Sequence, residues 1–325
     1  PSPMTNTGRT DRPTISAYIL LSEPVQFSPS EIEDALQADY PGLDMGTDGL
    51  DLAKDCDTDQ FITAPLFFGA SGPDACGTIC LIRLPGYGTW DPAQLAPHQS
   101  FPCPNLVERL AQNRSYICVS VGAKSTDLAD TFRAARTCSA IASVFAKLPV
   151  ALAVYWEPAH HFLPPKTMIK ATESAVCDEW PILSWISFPF GKSAESDMIT
   201  GDTLGLKVFS GTELSLTPAP ITPQDSLEML IAVSTMMLEY GSEYRDGDTI
   251  GMEGETELIY RFRYLPAGQE DNEDGGLLLI HPDSTYDAET RLGPPLMPPA
   301  PPGVDNRRPV KDGFFKRLIR GQAAQ

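Results

Sequence analysis

The chain has 325 residues, of which 42% are hydrophobic and 21% charged, and a formal charge of −19. That is the composition of an ordinary globular protein with room for one large domain or two small ones. So acidic a balance argues against a nucleic-acid-binding surface, where clustered lysines and arginines meet phosphates, and fits a basic protein partner or simple colloidal solubility.

The opening residues PSPMTNTGRTDRPT are polar and lack an apolar centre, which predicts a disordered leader over 1–13 and no secretory signal. TISAYILLS (14–22) reads as a strand and SPSEIEDALQADY (28–40) as a short helix behind a serine start signal. QFITAPLFFG and CGTICLIRLPG are short apolar runs bounded by glycine or proline and read as paired strands. A proline-rich crossing, GTWDPAQLAPHQSFPCPNL, leads to the strand SYICVSVGA. From Leu128 through Phe132, Ala135, Cys138, Ile141, Ala142 and Phe145, apolar residues recur every three or four positions, which predicts a helix. VALAVYW has no alternation and should be a strand covered on both faces.

PPKTMIKATESAV predicts a helix opened by prolines, and ILSWISFPF, GLKVFSG and TELSLTP read as strands. A second strong helix is expected from Pro223 to about Tyr240, with Thr222 as cap, Asp225 three residues on and Gly241 at its end. ETELIYRFRYLP and GGLLLIHP add two strands around an acidic loop. The order predicts an α+β fold of mostly antiparallel sheets with helices packed on one face. Two halves, 14–114 and 115–285, are compatible with being related, followed by a proline-rich linker over 286–309 and a short tail over 310–325.

The seven cysteines are scattered and odd in number, in a chain large enough to need no staples, which points to reduced thiols and a cytoplasmic location. Cys118 and Cys138 read as small core residues; Cys76 and Cys80, about 13 Å apart along a strand, are too distant to share one metal. The longest apolar stretch, CSAIASVFAKLPVALAVYW, is broken by Lys147 and Pro149, so no membrane-spanning helix of about 20 apolar residues is expected.

GDTLG (201–205) and GDTIG (247–251) form a short repeat 46 residues apart. As local structure they are tight turns, with glycine taking positive φ and aspartate bonding the neighbouring backbone. The functional alternative is that Asp202 and Asp248 converge as an acidic site for a cation or a basic side chain. WISF, TLGLKVFSGTELSL, the helix opening after Pro223 and YRDGDTIGMEGETELIYRF, together spanning about 185–281, resemble the bacterial family known as domain of unknown function 4261, with DGDTIG (Asp246 to Gly251) as the best motif. The family brings no catalytic residues to carry over.

FPFGKSAES lacks the glycine of a phosphate loop, since Ile186 stands where it is needed. DCDTDQF offers Asp55, Asp57 and Asp59 in a calcium-loop spacing, but Gln60 replaces the turn glycine and Leu66 the final glutamate. Glu157, His160 and His161 follow a buried strand and could ligate a metal, yet the spacing of known zinc motifs is absent and only four histidines are present. No catalytic residue and no cofactor is assigned.

The last twenty residues, Asn306 to Gln325, hold six basic residues against Asp312, a net +5 that leaves −24 for the remainder. GPPLMPPAPPG ahead of it has six prolines and should be extended, spanning roughly 30 Å at about 3.1 Å per residue. On a helical projection Phe314, Phe315, Leu318 and Ile319 share one sector while Lys316, Arg317 and Arg320 take the other side. So short a helix is marginal alone and should fold on contact with a partner groove, an anionic membrane face or the chain's own acidic body. The reading is a noncatalytic cytoplasmic adaptor or immunity-like protein of bacteria, its acidic body holding one partner and its tail another. The alternatives are a metal-dependent hydrolase using Glu157, His160 and His161 or the Asp202/Asp248 pair, and peripheral membrane association through the tail. The oligomeric state is left open.

Overall fold

A computed structural model of the chain describes residues 12–27, 29–41, 43, 50–52, 62–64, 66–68, 79–85, 95, 99, 102–193, 197–241, 244–251, 259–265, 276–284, 286 and 292. Most of the leader, most of the proline-rich linker and the whole tail lie outside these residues. The chain divides into two units, residues 1–187 and 188–325. The strand that starts at Ser115 is hydrogen-bonded on both sides to strands that precede it in the chain, so residues on either side of 114/115 share one sheet.

The first unit contains β1 (Thr14–Leu21), α1 (Pro29–Asp39), β2 (Leu50–Leu52), β3 (Ile62–Ala64), β4 (Leu66–Phe68), β5 (Ile79–Pro85), α2 (Leu106–Gln112), β6 (Ser115–Gly122), α3 (Leu128–Ala146), β7 (Ala151–Trp156), β8 (His161–Leu163), α4 (Pro165–Val176) and α5 (Ile182–Trp185). Its six-stranded sheet runs β3-β5-β6-β1-β7-β8, antiparallel throughout, and β2 pairs separately with β4. Side chains alternate between faces along a strand, so Ile15, Ala17, Ile19 and Leu21 of β1 share one face with Ile117, Val119 and Val121 of β6 and with Val154 and Trp156 of β7. All of these are buried, and α3 packs on the three strands.

Behind α3, polar bonds fix its register. Trp185 Nε1 donates to Ser139 Oγ at 3.0 Å, Thr172 Oγ1 donates to the Ser139 carbonyl at 3.0 Å, and the Tyr40 and Ser143 hydroxyls pair at 2.6 Å. The opposite face carries Leu20, Ala153, Tyr155 and Phe162 against Cys103, Leu106 and Leu110 of the α2 region. Helices therefore lie on both faces of this sheet. Helix α2 follows directly on the proline-rich crossing, in a stretch to which the sequence pattern assigns no element: it has seven residues, two buried leucines, and no side-chain cap from Asn105.

The second unit contains β9 (Phe190–Lys192), β10 (Ile199–Asp202), α6 (Leu206–Ser210), β11 (Leu214–Ala219), α7 (Pro223–Glu239), β12 (Thr249–Gly251), β13 (Ile259–Leu265) and β14 (Gly276–Ile280). The sheet order is β12-β13-β14-β11-β10-β9, with β11 and β14 parallel and the other pairs antiparallel. In the first unit β6 and β7, joined through α3, flank β1, whereas here β11 and β14 lie side by side, so the two sheets are connected differently. Both are antiparallel-dominated and carry helices, an α+β architecture.

Helix α7 starts as expected, with a reciprocal capping box between Thr222 and Asp225. It covers β9 to β11, and Gly201 of β10 marks the closest approach, since an added Cβ would stand 2.7 Å from Ser226 Oγ and 2.9 Å from Leu230 Cδ1. Two expectations are corrected. ILSWISFPF holds the short helix α5 and only then a strand, and GLKVFSG is helix α6, bracketed by Gly205 and Gly211 at φ of 98° and 84°. In strand β13, Arg263 is buried and its Nε donates to Asp246 Oδ1 at 2.8 Å, while Asp246 Oδ1 also accepts the Tyr264 N–H at 3.0 Å.

Two substitutions probe this packing by chemical unfolding. Gly201→Ala should cost about 1–3 kcal/mol through overpacking against α7. Asp246→Ala should cost about 3–5 kcal/mol by removing the carboxylate bonded to the buried Arg263 guanidinium, and the double change Asp246→Leu with Arg263→Met should recover much of that loss.

Candidate functional site

The Glu157, His160, His161 cluster closes the β7–β8 hairpin. Glu157 opens a single 3-10 turn (Glu157–Ala159), His160 ends it in the left-handed region at φ 51°, and His161 begins β8 as the Cα partner of Trp156. The hairpin sends the two imidazoles to opposite faces. His161 is buried on the α3 side, where its Nε2 donates to the Ser184 carbonyl at 2.9 Å. His160 is exposed, and its Nδ1 lies 3.0 Å from the Tyr155 hydroxyl on the α2 side. Among the described residues no group of three or more His, Cys, Asp or Glu side chains stands close enough to hold a metal ion.

The two GDT turns are closed by carboxylates. In the first, Thr203 Oγ1 accepts the Leu214 N–H at 2.8 Å and donates to Glu213 Oε2 at 2.7 Å. Glu213 also accepts the N–H groups of Gly205 (2.8 Å) and Leu206 (3.1 Å), the unsatisfied donors at the start of α6. In the second, Gly247 takes φ 93° and Asp248 Oδ2 accepts the Arg245 N–H at 2.8 Å. Asp202 and Asp248 stand at the same end of the sheet but on β10 and next to β12, with three strands between them, about 19 Å at roughly 4.8 Å per strand. They are not brought together. Crowding raises the Asp202 carboxyl above the usual carboxylate range although the residue reaches solvent, and the Ser215 hydroxyl bond opposes that shift.

The Gly191-Lys192-Ser193 stretch forms the β9–β10 hairpin, with the Ser193 N–H on the Met198 carbonyl and Lys192 paired to Asp197 at 3.0 Å, and has no phosphate-loop geometry. His281 is buried, accepts the Asp283 N–H on Nδ1 at 3.0 Å and stands edge-on to Tyr260; burial lowers its pKa. The calcium-like loop (Asp55, Asp57, Asp59), His98 and the tail residues Phe314, Phe315, Lys316, Arg317, Leu318, Ile319 and Arg320 lie outside the described residues.

A different cluster emerges on the α2 side of the first sheet. Cα pairing sets Tyr18 of β1 between Cys118 of β6 and Tyr155 of β7, with Phe162 of β8 beyond, while Ser16 faces Ser120 and Leu20 faces Tyr116. The Tyr18 ring lies 6.0 Å from the Tyr116 ring and 6.0 Å from the Tyr155 ring, tilted by 51° and 54°. The Ser16 and Ser120 hydroxyls pair at 2.9 Å, and Cys118 Sγ is 3.5 Å from Ser120 Oγ. Tyr18, Tyr116, Ser16 and Ser120 all keep partial exposure.

Glu157 follows Trp156, whose partner is Ala17, so it stands at the Ser16 end of this face, and its charge is felt by both Tyr18 and Tyr155. Burial first, then the Cys118 thiol, Glu157 and Tyr116, push the Tyr18 hydroxyl up to about 12, so the ring is neutral at physiological pH. The sequence signal for this cluster is the alternation of polar and aromatic with aliphatic residues in TISAYILL and SYICVSVG.

Burial raises Glu213 to about 6 from 4.5, against the opposing donors Thr203, Lys207, Gly205 and Leu206. A raised folded-state value means the contribution is fully present below the unfolded value and lost as pH rises through the folded one. Wild type should therefore gain stability relative to Glu213→Gln as pH falls from 7 to 4.5, by at most about 2 kcal/mol. Urea unfolding across that window reads the difference, and a gap that does not change with pH contradicts it.

Neither a curated protein nor a solved structure matches the chain. Residues 202–270 match the model of the family described as Domain of unknown function (DUF4261), so the Glu213 clip, capped helix α7 and the Asp246–Arg263 pair all fall within this family's stretch of the second unit.

Proposed function

We propose that this is a noncatalytic protein-binding component of bacteria, of adaptor or immunity-like type, acting in the cytoplasm. The acidic body holds one, basic, partner, and the tail peptide docks on a second. The observation that carries this reading is the state of the ionisable side chains that the sequence offers for chemistry. Of these candidates, His161 and Asp248 hold backbone groups, His160 turns away from His161 to the Tyr155 hydroxyl, and Asp202 and Asp248 stand on separated strands. What this body presents to a partner is charge and aromatic surface. No helix among the described residues is long and apolar enough to cross a membrane.

The tail contributes in a separate way. In this reading a proline-rich stretch links a cationic, apolar peptide to a body of opposite charge, and the link raises the peptide's effective concentration at a second site.

A pull-down with the full chain and with a chain ending at Gly293 tests the division of labour. The shorter chain should lose one set of partners and keep another set that elutes with added salt, because exposed charge contacts are screened within about 10 Å at 0.1 M. Unchanged recovery on truncation removes the tail from the mechanism, and transfer of the lost fraction to anionic vesicles instead of protein favours the membrane route. Stoichiometric zinc, manganese or iron in the purified protein, lost in His160→Ala, would contradict the noncatalytic reading.

A further inference from the structure

We propose that His281 works as a proton-operated latch: uncharged, its ring holds the turn after β14 closed on the body, and taking up a proton opens that turn. The inference stands on the hydrogen bonds of the turn and is independent of the adaptor reading.

Strand β14 ends at Ile280 and the chain turns at once. The Ser284 N–H donates to the His281 carbonyl at 3.0 Å, and the Asp283 N–H donates to His281 Nδ1 at 3.0 Å. The imidazole therefore does what the side-chain oxygen of an asparagine does in an Asx turn, accepting the backbone N–H two residues on. Ser284 Oγ donates to the Pro218 carbonyl at 2.6 Å and accepts the Tyr286 N–H at 3.2 Å, which fastens the turn to the end of β11. These bonds hold the first residues after β14.

The ring can do this in one protonation state only. A nitrogen that accepts an N–H carries no proton, so the hydrogen of the neutral ring sits on Nε2. His281 is 2% exposed, and among the described residues its Nε2 has no hydrogen-bond partner. A second proton would have to enter at Nδ1, against the Asp283 N–H, and would leave a buried cation with no acceptor on either nitrogen. Burying an unpaired ion costs more than the bonds of one turn return, so the ring leaves its place as it is charged.

The surroundings do not offset this. Tyr260 of β13 stands edge-on at 5.2 Å, β11 ends in Pro218 and Ala219, and helix α7 has its first-turn Asp225 engaged in the capping box. Asp283 is the charged group that acts on the ring: burial lowers the His281 pKa, and Asp283 opposes the shift without reversing it. A lowered folded-state value means that the stability of the closed turn is fully present above the unfolded value, about 6.5, and is lost as pH falls through the folded one. Once the turn is open, the Asp283 carboxylate can pair with the imidazolium.

Amide hydrogen exchange of the full chain, corrected for the intrinsic rate at each pH, measures the opening of the turn. As pH falls from about 6.5 to about 5, the opening constant at the Asp283 N–H should rise by up to about tenfold per pH unit, the slope for uptake of one proton. The Leu278 and Leu279 amides of β14 should not follow, because the opening is local. His281→Asn supplies an oxygen that accepts the same N–H and cannot titrate there, so the turn should form and its opening should lose the pH dependence. Nitrogen-15 NMR of the wild-type imidazole gives a reading without any substitution: near pH 7 the ring should carry its proton on Nε2. A flat response at Asp283, an equal slope in His281→Asn, an equal slope at Leu278 and Leu279, or a ring protonated on Nδ1 overturns the proposal.

Discussion

Carboxylates that accept backbone N–H groups hold the turns of the second unit in place. Glu213 sits one residue before β11 and reaches across to the first two donors of α6, so a single side chain joins the end of β10, the start of the helix and the start of the next strand. Asp246 does the same for β13, accepting both the buried Arg263 guanidinium and the Tyr264 N–H, and Asp248 closes the adjoining turn on Arg245. A buried donor left without a partner costs about 1–3 kcal/mol. Turns that require glycine at positive φ, as at Gly205 and Gly247, have little other means of fixing their direction. Acidic residues in this stretch therefore have a structural cause before any chemical one.

The first unit follows another constraint, the alternation of side chains on a sheet covered unequally. Beneath α3 the positions Ile15, Ala17, Ile19, Ile117, Val119, Val121, Val154 and Trp156 are aliphatic or aromatic and buried, because a long helix covers them. The other face meets the short helix α2 around Leu20, Ala153 and Phe162. Toward the opposite end of the same strands the inward positions become serine, tyrosine and cysteine, and partial exposure begins.

Much of this fold was legible in the sequence. The periodicity of Leu128 to Phe145, the Thr222/Asp225 capping box and the strands TISAYILL, SYICVSVG and GLLLI all appear where the pattern places them. GLKVFSG misled because five residues are too few for a helical period to emerge and Val208 and Phe209 favour strands; the helix forms because Glu213 satisfies its first donors. Helix α2 was hidden by brevity and by neighbouring prolines. Of the candidate sites, the separation of Asp202 from Asp248 depends on strand order, and the divergence of His160 from His161 on a hairpin turn, which no local motif encodes. The tyrosine face needed the pairing of β1 with both β6 and β7, residues about 100 and 137 positions apart, before its members could be seen as neighbours.

Together these observations describe a second unit in which Glu213, Asp246 and Asp248 are tied into the frame through backbone N–H groups. Amide hydrogen exchange at Gly205, Leu206, Arg245 and Tyr264, the four N–H groups given to Glu213, Asp248 and Asp246, measures whether those carboxylates are engaged. The account predicts that all four are protected, and that Glu213→Ala strips protection from Gly205 and Leu206. Exchange at the rate of an open loop at these positions in the wild-type chain would mean that the carboxylates are free for chemistry, and would contradict it.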